Sequence, residues 1–298
     1  MVKSSLFTIG MNTTPNQSHT GFTGYFPTWC PGCGNFGIWA ALKTAFTKLG
    51  FTEDNFAIVY GIGCSGNMND FLWVNSFHAL HGRSLPNAIG VKLANHKLPV
   101  VAIVGDGDCY GEGGNHLIHA ARGNHDITVI VHDNRVYGLT TGQVAPTAIK
   151  GFKAKSTPSG IIEVPINPIA LAITQGASFV AQGFSGDINH LVDLIEQAVK
   201  HRGFSLVNVF QPCVTFNQQT TYAWYRERIY KLTGENHTPG ELNKALEKSL
   251  ELEEKIPIGV IYKNERPIYT DGLPQLKEKT LIEAENSANI EKFITEFI

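Results

Sequence analysis

Between residues 34 and 210, short apolar runs alternate with amphipathic stretches of helix length, and few folds are compatible with that rhythm. The runs 56–62, 99–104, 127–132, 179–182 and 204–210 are rich in Val, Ile and Phe, as strands buried on both faces require. The intervening segments 36–49, 85–95, 114–122, 168–176 and 188–201 carry apolar residues at helical spacing. Strand following helix following strand predicts a doubly wound α/β fold with a mostly parallel sheet. Such sheets present their chemistry at the carboxyl ends of the strands.

Composition narrows the field. The 298 residues carry 24 basic against 26 acidic side chains, a formal net charge of −2, which argues against nucleic acid as the main partner. No apolar run approaches the roughly 18 residues that span a bilayer, so a soluble protein without membrane contact is expected. The first 20 or so residues lack the pattern of an export signal. Five cysteines make an odd number for a closed disulfide framework, so a reducing, cytoplasmic setting is expected. Three segments are predicted: an N-terminal arm over 1–24, the α/β domain over 25–219, and a C-terminal extension over 220–298. The extension is read as helices at 222–232 and 242–255 with a peripheral tail, suited to packing or to assembly with other chains.

The densest chemistry follows the run 99–104. Gly105-Asp106-Gly107-Asp108 places a carboxylate between two glycines directly after a buried strand. Glycines allow backbone N–H groups to approach an anion, and the helix that follows turns its positive end toward the same place. Twenty-eight positions on, at the end of the next strand, stands Asn134. Two oxygen donors on neighbouring strand ends can share one Mg²⁺ and leave positions for diphosphate oxygens. This pattern resembles the thiamine diphosphate signature, which implies Asp106 and Asn134 as side-chain Mg²⁺ ligands and Val136 as a main-chain one. The resemblance also implies that Gly138, Leu139 and Thr140 lie along the cofactor. A rival fingerprint, Gly61-Ile62-Gly63-Cys64-Ser65-Gly66, has the G-x-G-x-x-G spacing of a nicotinamide site. It lacks the acidic residue expected about 20 positions later.

Cys30 and Cys33 form a C-x-x-C knuckle, while Cys64 and Cys213 stand singly after strands. Four thiolates suit a [4Fe–4S] cluster or a structural zinc, and spacing alone does not separate the two. A thioredoxin-type pair would leave Cys64 and Cys213 unexplained. The position of Cys64 in a Gly-rich loop beside the cofactor favours the cluster. Cys109 is read as packing. The pairs His78/His81 and His116/His119 have ligand-like spacing, but no acid completes either, so core or cofactor-neighbour roles are expected.

Taken jointly, the motifs at 29–34, 61–65, 105–108, 114–116, 133–143 and 222–225 closely resemble the β subunits of 2-oxoacid:ferredoxin oxidoreductases, the pyruvate and 2-oxoglutarate synthase family, over about residues 25 to 262. The resemblance implies a thiamine diphosphate-binding fold with Ile62, Gly63, Cys64 and Ser65 lining the cofactor beside Gly105, Asp106, Gly107 and Asp108. It implies that Cys30, Cys33, Cys64 and Cys213 each bind one iron of a [4Fe–4S] cluster. The implied reaction converts a 2-oxoacid and coenzyme A to acyl-CoA and CO₂, with electrons leaving singly through the cluster to ferredoxin. An activating glutamate is implied to come from a partner α subunit, with further γ or δ subunits possible, so no catalytic residue is assigned in this chain and the chain alone is expected to be inactive.

For the substrate, family members that accept dicarboxylic 2-oxoacids often carry a basic residue at positions where this chain has Asn67 and Thr141. Burying a second carboxylate without a cation costs several kcal/mol. Pyruvate or another neutral-tailed 2-oxoacid is therefore expected over 2-oxoglutarate, with Arg83 as the residue able to reverse that preference. The other classes to exclude are a non-oxidative thiamine diphosphate lyase or transferase and a zinc-stabilised scaffold.

Overall fold

The computed structural model describes residues 21–235, 237–284 and 294–295. Most of the arm expected over 1–24, and much of the far C-terminus, lie outside the described residues.

In chain order the elements are α1 (Asn35–Lys48), β1 (Ala57–Tyr60), β2 (Ser76–His78), α2 (Ser84–Ala94), β3 (Val100–Gly105), α3 (Gly114–Gly123), β4 (Thr128–Asp133), β5 (Val136–Tyr137), β6 (Gln143–Val144), α4 (Pro168–Thr174), β7 (Phe179–Phe184), α5 (Ile188–Lys200), β8 (Ser205–Phe210), α6 (Tyr222–Arg226), β9 (Ile229–Lys231), α7 (Leu242–Ser249) and β10 (Ile256–Lys263). Eight strands form one sheet in the order β2-β1-β3-β4-β8-β7-β10-β9, while β5 and β6 form a separate small hairpin. Every pairing in the large sheet is parallel except that of β10 with β7.

Alternation along the strands builds two cores, because successive side chains point to opposite faces. Ile58, Ile103, Ile130 and Val207 face one side. There α1 brings Ile38, Leu42 and Phe46, and α5 brings Leu191, Leu194 and Ile195. Their neighbours Val59, Ala102, Val104, Val129, Val131 and Leu206 face the other side, beneath α2, α3, α4 and α7. Each fully buried Leu, Ile or Phe is worth about 1.5–3 kcal/mol of transfer free energy. Helix starts are set locally. Asn167 caps α4 by accepting from Ala170 N at 3.0 Å, with Pro168 beginning the first turn. Asp187 caps α5 by accepting from His190 N at 3.3 Å.

The doubly wound, mostly parallel α/β expectation holds, and the five strands and five helices predicted over 34–210 are present within a few residues. The segment beyond 220 departs from expectation. The helix expected over 222–232 stops at Arg226, and Ile229–Lys231 pairs as β9 with Ile256–Ile258. The helix expected over 242–255 stops at Ser249. The expected tail returns as β10, which lies in the main sheet against β7 rather than at the periphery. Pro257 and Gly259 disguise β10 in the sequence, since proline removes a ladder donor and glycine weakens a strand. Gly259 has φ +138° beside an irregularity at Val260–Tyr262, and the Leu232 side chain lies against it. Among the described residues, no helix is long and apolar enough to cross a membrane.

Candidate active site

The ends of β1, β3, β4 and β8 meet at one edge of the sheet, and a cavity of about 370 Å³ opens there. All twelve residues expected at the cofactor line it: Ile62, Gly63, Cys64 and Ser65 after β1, Gly105, Asp106, Gly107 and Asp108 at β3, and Asn134, Gly138, Leu139 and Thr140 after β4. Val136 lines it as well. The loop after β1 continues into a short 3₁₀ turn, Gly66–Asp70, rather than a helix, so it lacks the helix start a nicotinamide site uses.

After β3 the chain enters a wide helical turn, Gly107–Glu112, that carries Asp108 and Cys109 inward before α3 begins. The Asp106 carboxylate is buried and accepts from Arg135 N at 2.9 Å and from Thr147 Oγ1. Burial raises its pKa well above the usual carboxylate range, and the negative charge of Asp133 adds to the rise. Asp133 is raised by burial too, with the Arg135 guanidinium opposing. Of this buried pair only Asp106 lines the cavity; Asp133 faces a separate pocket with Arg135, Thr147 and Asn208. Asn134 faces the same cavity, its Oδ1 accepting from Val136 N at 2.9 Å. Asp108 accepts from Gly82 N at 2.8 Å and Ser84 Oγ at 3.3 Å, which ties β3 to the start of α2. Gly61 is required beside it, because an added Cβ would sit 2.3 Å from Asp108 Oδ2.

Cys30, Cys33, Cys64 and Cys213 gather near one another, and Cys64 lines the cavity. A Cβ on Gly138 would lie 3.4 Å from Cys64 Sγ and 3.9 Å from Cys213 Sγ. The C-x-x-C turn closes through Cys33 N to Cys30 O at 3.0 Å and docks on the end of β8 through Gly34 N to Pro212 O at 3.2 Å. Trp29 Nε1 donates to Cys64 O at 2.7 Å, joining the knuckle to the loop after β1. Burial pushes the Cys33 thiol up to about 12, helped by the nearby Cys213, Cys64 and Cys30. Cys64 rises to about 11, through burial and then through Cys213 and Cys30. Four sulfurs close enough to repel one another as thiolates are a donor set that calls for positive charge among them. Among the described residues, no three His, Cys, Asp or Glu side chains gather around a single ion-sized point. Four thiolates suit either a [4Fe–4S] cluster or a structural zinc. Cys109 is buried apart from the other four, in the core beneath α2 and α3.

Of the histidines, His81 lines the cavity, and His78 Nε2 contacts Gly61 O at 2.9 Å beneath the loop. His116 and His119 lie on α3 and do not line the cavity. Asn67, Thr141 and Arg83, the positions weighed for substrate charge, do not line it either. Sequence reasoning missed His132, Glu112, Tyr137, Gln143 and Gln211, which all contribute to the wall. Tyr137 and Gln143 lie inside the 133–143 motif without having been assigned a role, and Gln211 stands two positions before Cys213, so motif proximity was the available signal. Ser65 Oγ, His132 Nε2 and Gln211 Oε1 are buried without a protein partner, which suits a polar ligand in the cavity.

Residues 61–209 match the family described as thiamine pyrophosphate enzyme, C-terminal TPP binding domain. Residues 213–278 match the family that describes the C-terminal part of the pyruvate ferredoxin oxidoreductase beta chain. Among curated proteins, a 2-oxoacid:ferredoxin oxidoreductase subunit beta of Sulfolobus sp is 44% identical, covering 89% of this chain and 93% of that protein. A 2-oxoglutarate synthase subunit KorB of Archaeoglobus fulgidus is 44% identical over 65% of this chain and 72% of its own. Among solved structures, the 2-oxoglutarate:ferredoxin oxidoreductase of Magnetococcus marinus, with 2-oxoglutarate, coenzyme A and succinyl-CoA bound, superimposes with a TM-score of 0.86 at 36% identity, covering 96% of this chain and 97% of that one. A thiamine diphosphate-type domain, an acidic cavity at its strand ends and matches along nearly the whole length agree: this chain belongs to the beta subunits of the 2-oxoacid:ferredoxin oxidoreductases, an oxidoreductase family.

Proposed function

We propose that this subunit holds thiamine diphosphate through Mg²⁺ and carries a [4Fe–4S] cluster, in an enzyme that converts a 2-oxoacid and coenzyme A to acyl-CoA and CO₂ and reduces ferredoxin. The observation that carries this reading is the shared wall: Cys64 and Gly138 line the cavity, and a Cβ on Gly138 would touch both Cys64 and Cys213. Asp106, Asn134 and the carbonyl of Val136 would hold the Mg²⁺, and Cys30, Cys33, Cys64 and Cys213 the cluster. Thiamine diphosphate supplies an electron sink for decarboxylation, and an adjacent iron–sulfur cluster accepts electrons one at a time.

The chain's own residues bind and orient. Arg135 N and Thr147 Oγ1 fix the rotamer of Asp106. The backbone of Gly105, Gly107 and Gly63 lets a diphosphate approach closely. The Val136 N–H holds Asn134 in its turn. Among the described residues, no lysine or arginine lines the cavity, which supports a neutral-tailed 2-oxoacid such as pyruvate. The second reading, 2-oxoglutarate, is favoured by the substrate named for the Archaeoglobus and Magnetococcus relatives. The activating glutamate and the rest of the site are proposed to come from an α subunit.

Anaerobic purification with the α subunit tests the reading. About four irons per β chain and Mg²⁺-dependent thiamine diphosphate binding are expected, with no turnover by the β chain alone. About one zinc per chain with no iron would refute the redox role. Comparing pyruvate with 2-oxoglutarate turnover decides the substrate, and a clear 2-oxoglutarate preference would overturn the neutral-tailed assignment.

A further inference from the structure

Gln211, the first residue beyond β8, is about 1% exposed and makes contacts that neither cofactor binding nor cysteine ligation uses. Its backbone N–H donates to Asp133 O at 2.9 Å, which anchors it beside the end of β4. Its side-chain Nε2 donates to Cys33 Sγ at 3.2 Å and to Pro212 O at 3.2 Å. Pro212 O accepts only, so the amide nitrogen must face it; turning the amide over would set two acceptors against each other. The N–H directed at sulfur is thus fixed by its neighbour.

The backbone is shaped to allow this approach. A Cβ on Gly34 would fall 2.8 Å from Gln211 Cγ and 3.1 Å from Pro212 Cδ, so a larger residue there would push the knuckle away from the amide. Gln211 also lines the cavity proposed for thiamine diphosphate. One neutral side chain therefore spans the wall between that cavity and a cysteine sulfur.

We propose that Gln211 is a positioning residue that raises the reduction potential of the cluster by donating an N–H···S hydrogen bond to Cys33 while holding the knuckle against the cofactor cavity. The inference rests on the reading that the four cysteines bind a [4Fe–4S] cluster. Adding an electron makes the cluster and its thiolates more negative, so a donor aimed at a ligand sulfur stabilises the reduced form more than the oxidised one. Hydrogen bonds to the sulfurs are among the levers that set such potentials, and bonds to charged acceptors are roughly twice as strong as neutral ones.

The test is an EPR-monitored redox titration of the reconstituted αβ complex, comparing wild type with Q211M and Q211E. Methionine keeps a flexible side chain of similar length without a donor, and glutamate keeps the shape with at most one donor, on protonation, in place of two. About a tenfold loss in the one-electron reduction equilibrium is expected for Q211M, a midpoint about 59 mV more negative, and a shift of the same sign for Q211E. Should Q211M fail to retain iron, Q211E is read in the same way. A variant that keeps about four irons and an unmoved midpoint overturns the proposal. A wild-type complex without iron would instead sink the cluster reading itself, so the two failures are distinguishable.

Discussion

Gly138 is the residue at which the two halves of the site touch. Its φ is not in the left-handed region, and an added Cβ would meet Cys64 Sγ at 3.4 Å, Asn134 Nδ2 at 3.7 Å and Cys213 Sγ at 3.9 Å. Those are ordinary contact distances, so Gly138→Ala should fold with its melting temperature almost unchanged. Its methyl would nevertheless stand between two proposed cluster ligands and the proposed cofactor. Iron and thiamine diphosphate content per chain, measured after anaerobic reconstitution, should fall several-fold; full loading would show that this space is not used. Much of the site was legible at this scale because Asp106, Asn134 and Gly138 sit in contiguous motifs. Gln211 was not, because its role depends on Cys33, which is 178 positions away and reached only through the finished sheet.

Single elements hold their neighbours through a few capping contacts. Asp187 caps α5 through His190 N and also pairs with Lys231 of β9 at 2.7 Å, which joins the second helix of one core to the last strand of the sheet. Burial pushes its carboxyl up, but the hydrogen bonds from Lys231 and His190 N together outweigh that and hold it below the usual range. Asp187→Ala should destabilise by about 1 kcal/mol, the usual loss for an N-cap. Asp187→Asn should recover most of that, because the partly exposed pair with Lys231 is worth only about 0–1 kcal/mol. Chemical denaturation of the two variants checks both values, and equal losses would mean the ion pair rather than the cap matters. The five helices and the five buried strands over 34–210 were legible because their apolar period is unbroken, whereas the two-residue strands β5 and β6 are too short to show one. β9 and β10 were not, because Pro257 and Gly259 interrupt the pattern and because β10's main partner, β7, lies far back in the chain. The edge strand β2 was invisible for another reason: its three residues are exposed and show no buried face.

At the scale of the whole molecule, the segment beyond residue 220 completes the sheet. Ile256, Ile258 and Ile261 of β10 are buried, and β10 covers the edge that β7 would otherwise expose. Truncation after residue 219 should therefore leave an unpaired, largely apolar edge. The expected outcome is aggregation and loss of cooperative unfolding, read by size-exclusion chromatography and calorimetry; a monomeric fragment with a sharp transition would show that the sheet is complete without β10. The wall of the cavity is assembled from four strand ends that run from Ile62 to Gln211, so no shorter piece of the chain contains it. Whatever fills that space is gripped only by chains whose sheet has closed, and mass action then favours them by about 2.7 kcal/mol when free ligand stands at a hundred times its dissociation constant. A ligand that fits this cavity should therefore raise the subunit's melting temperature as its concentration rises.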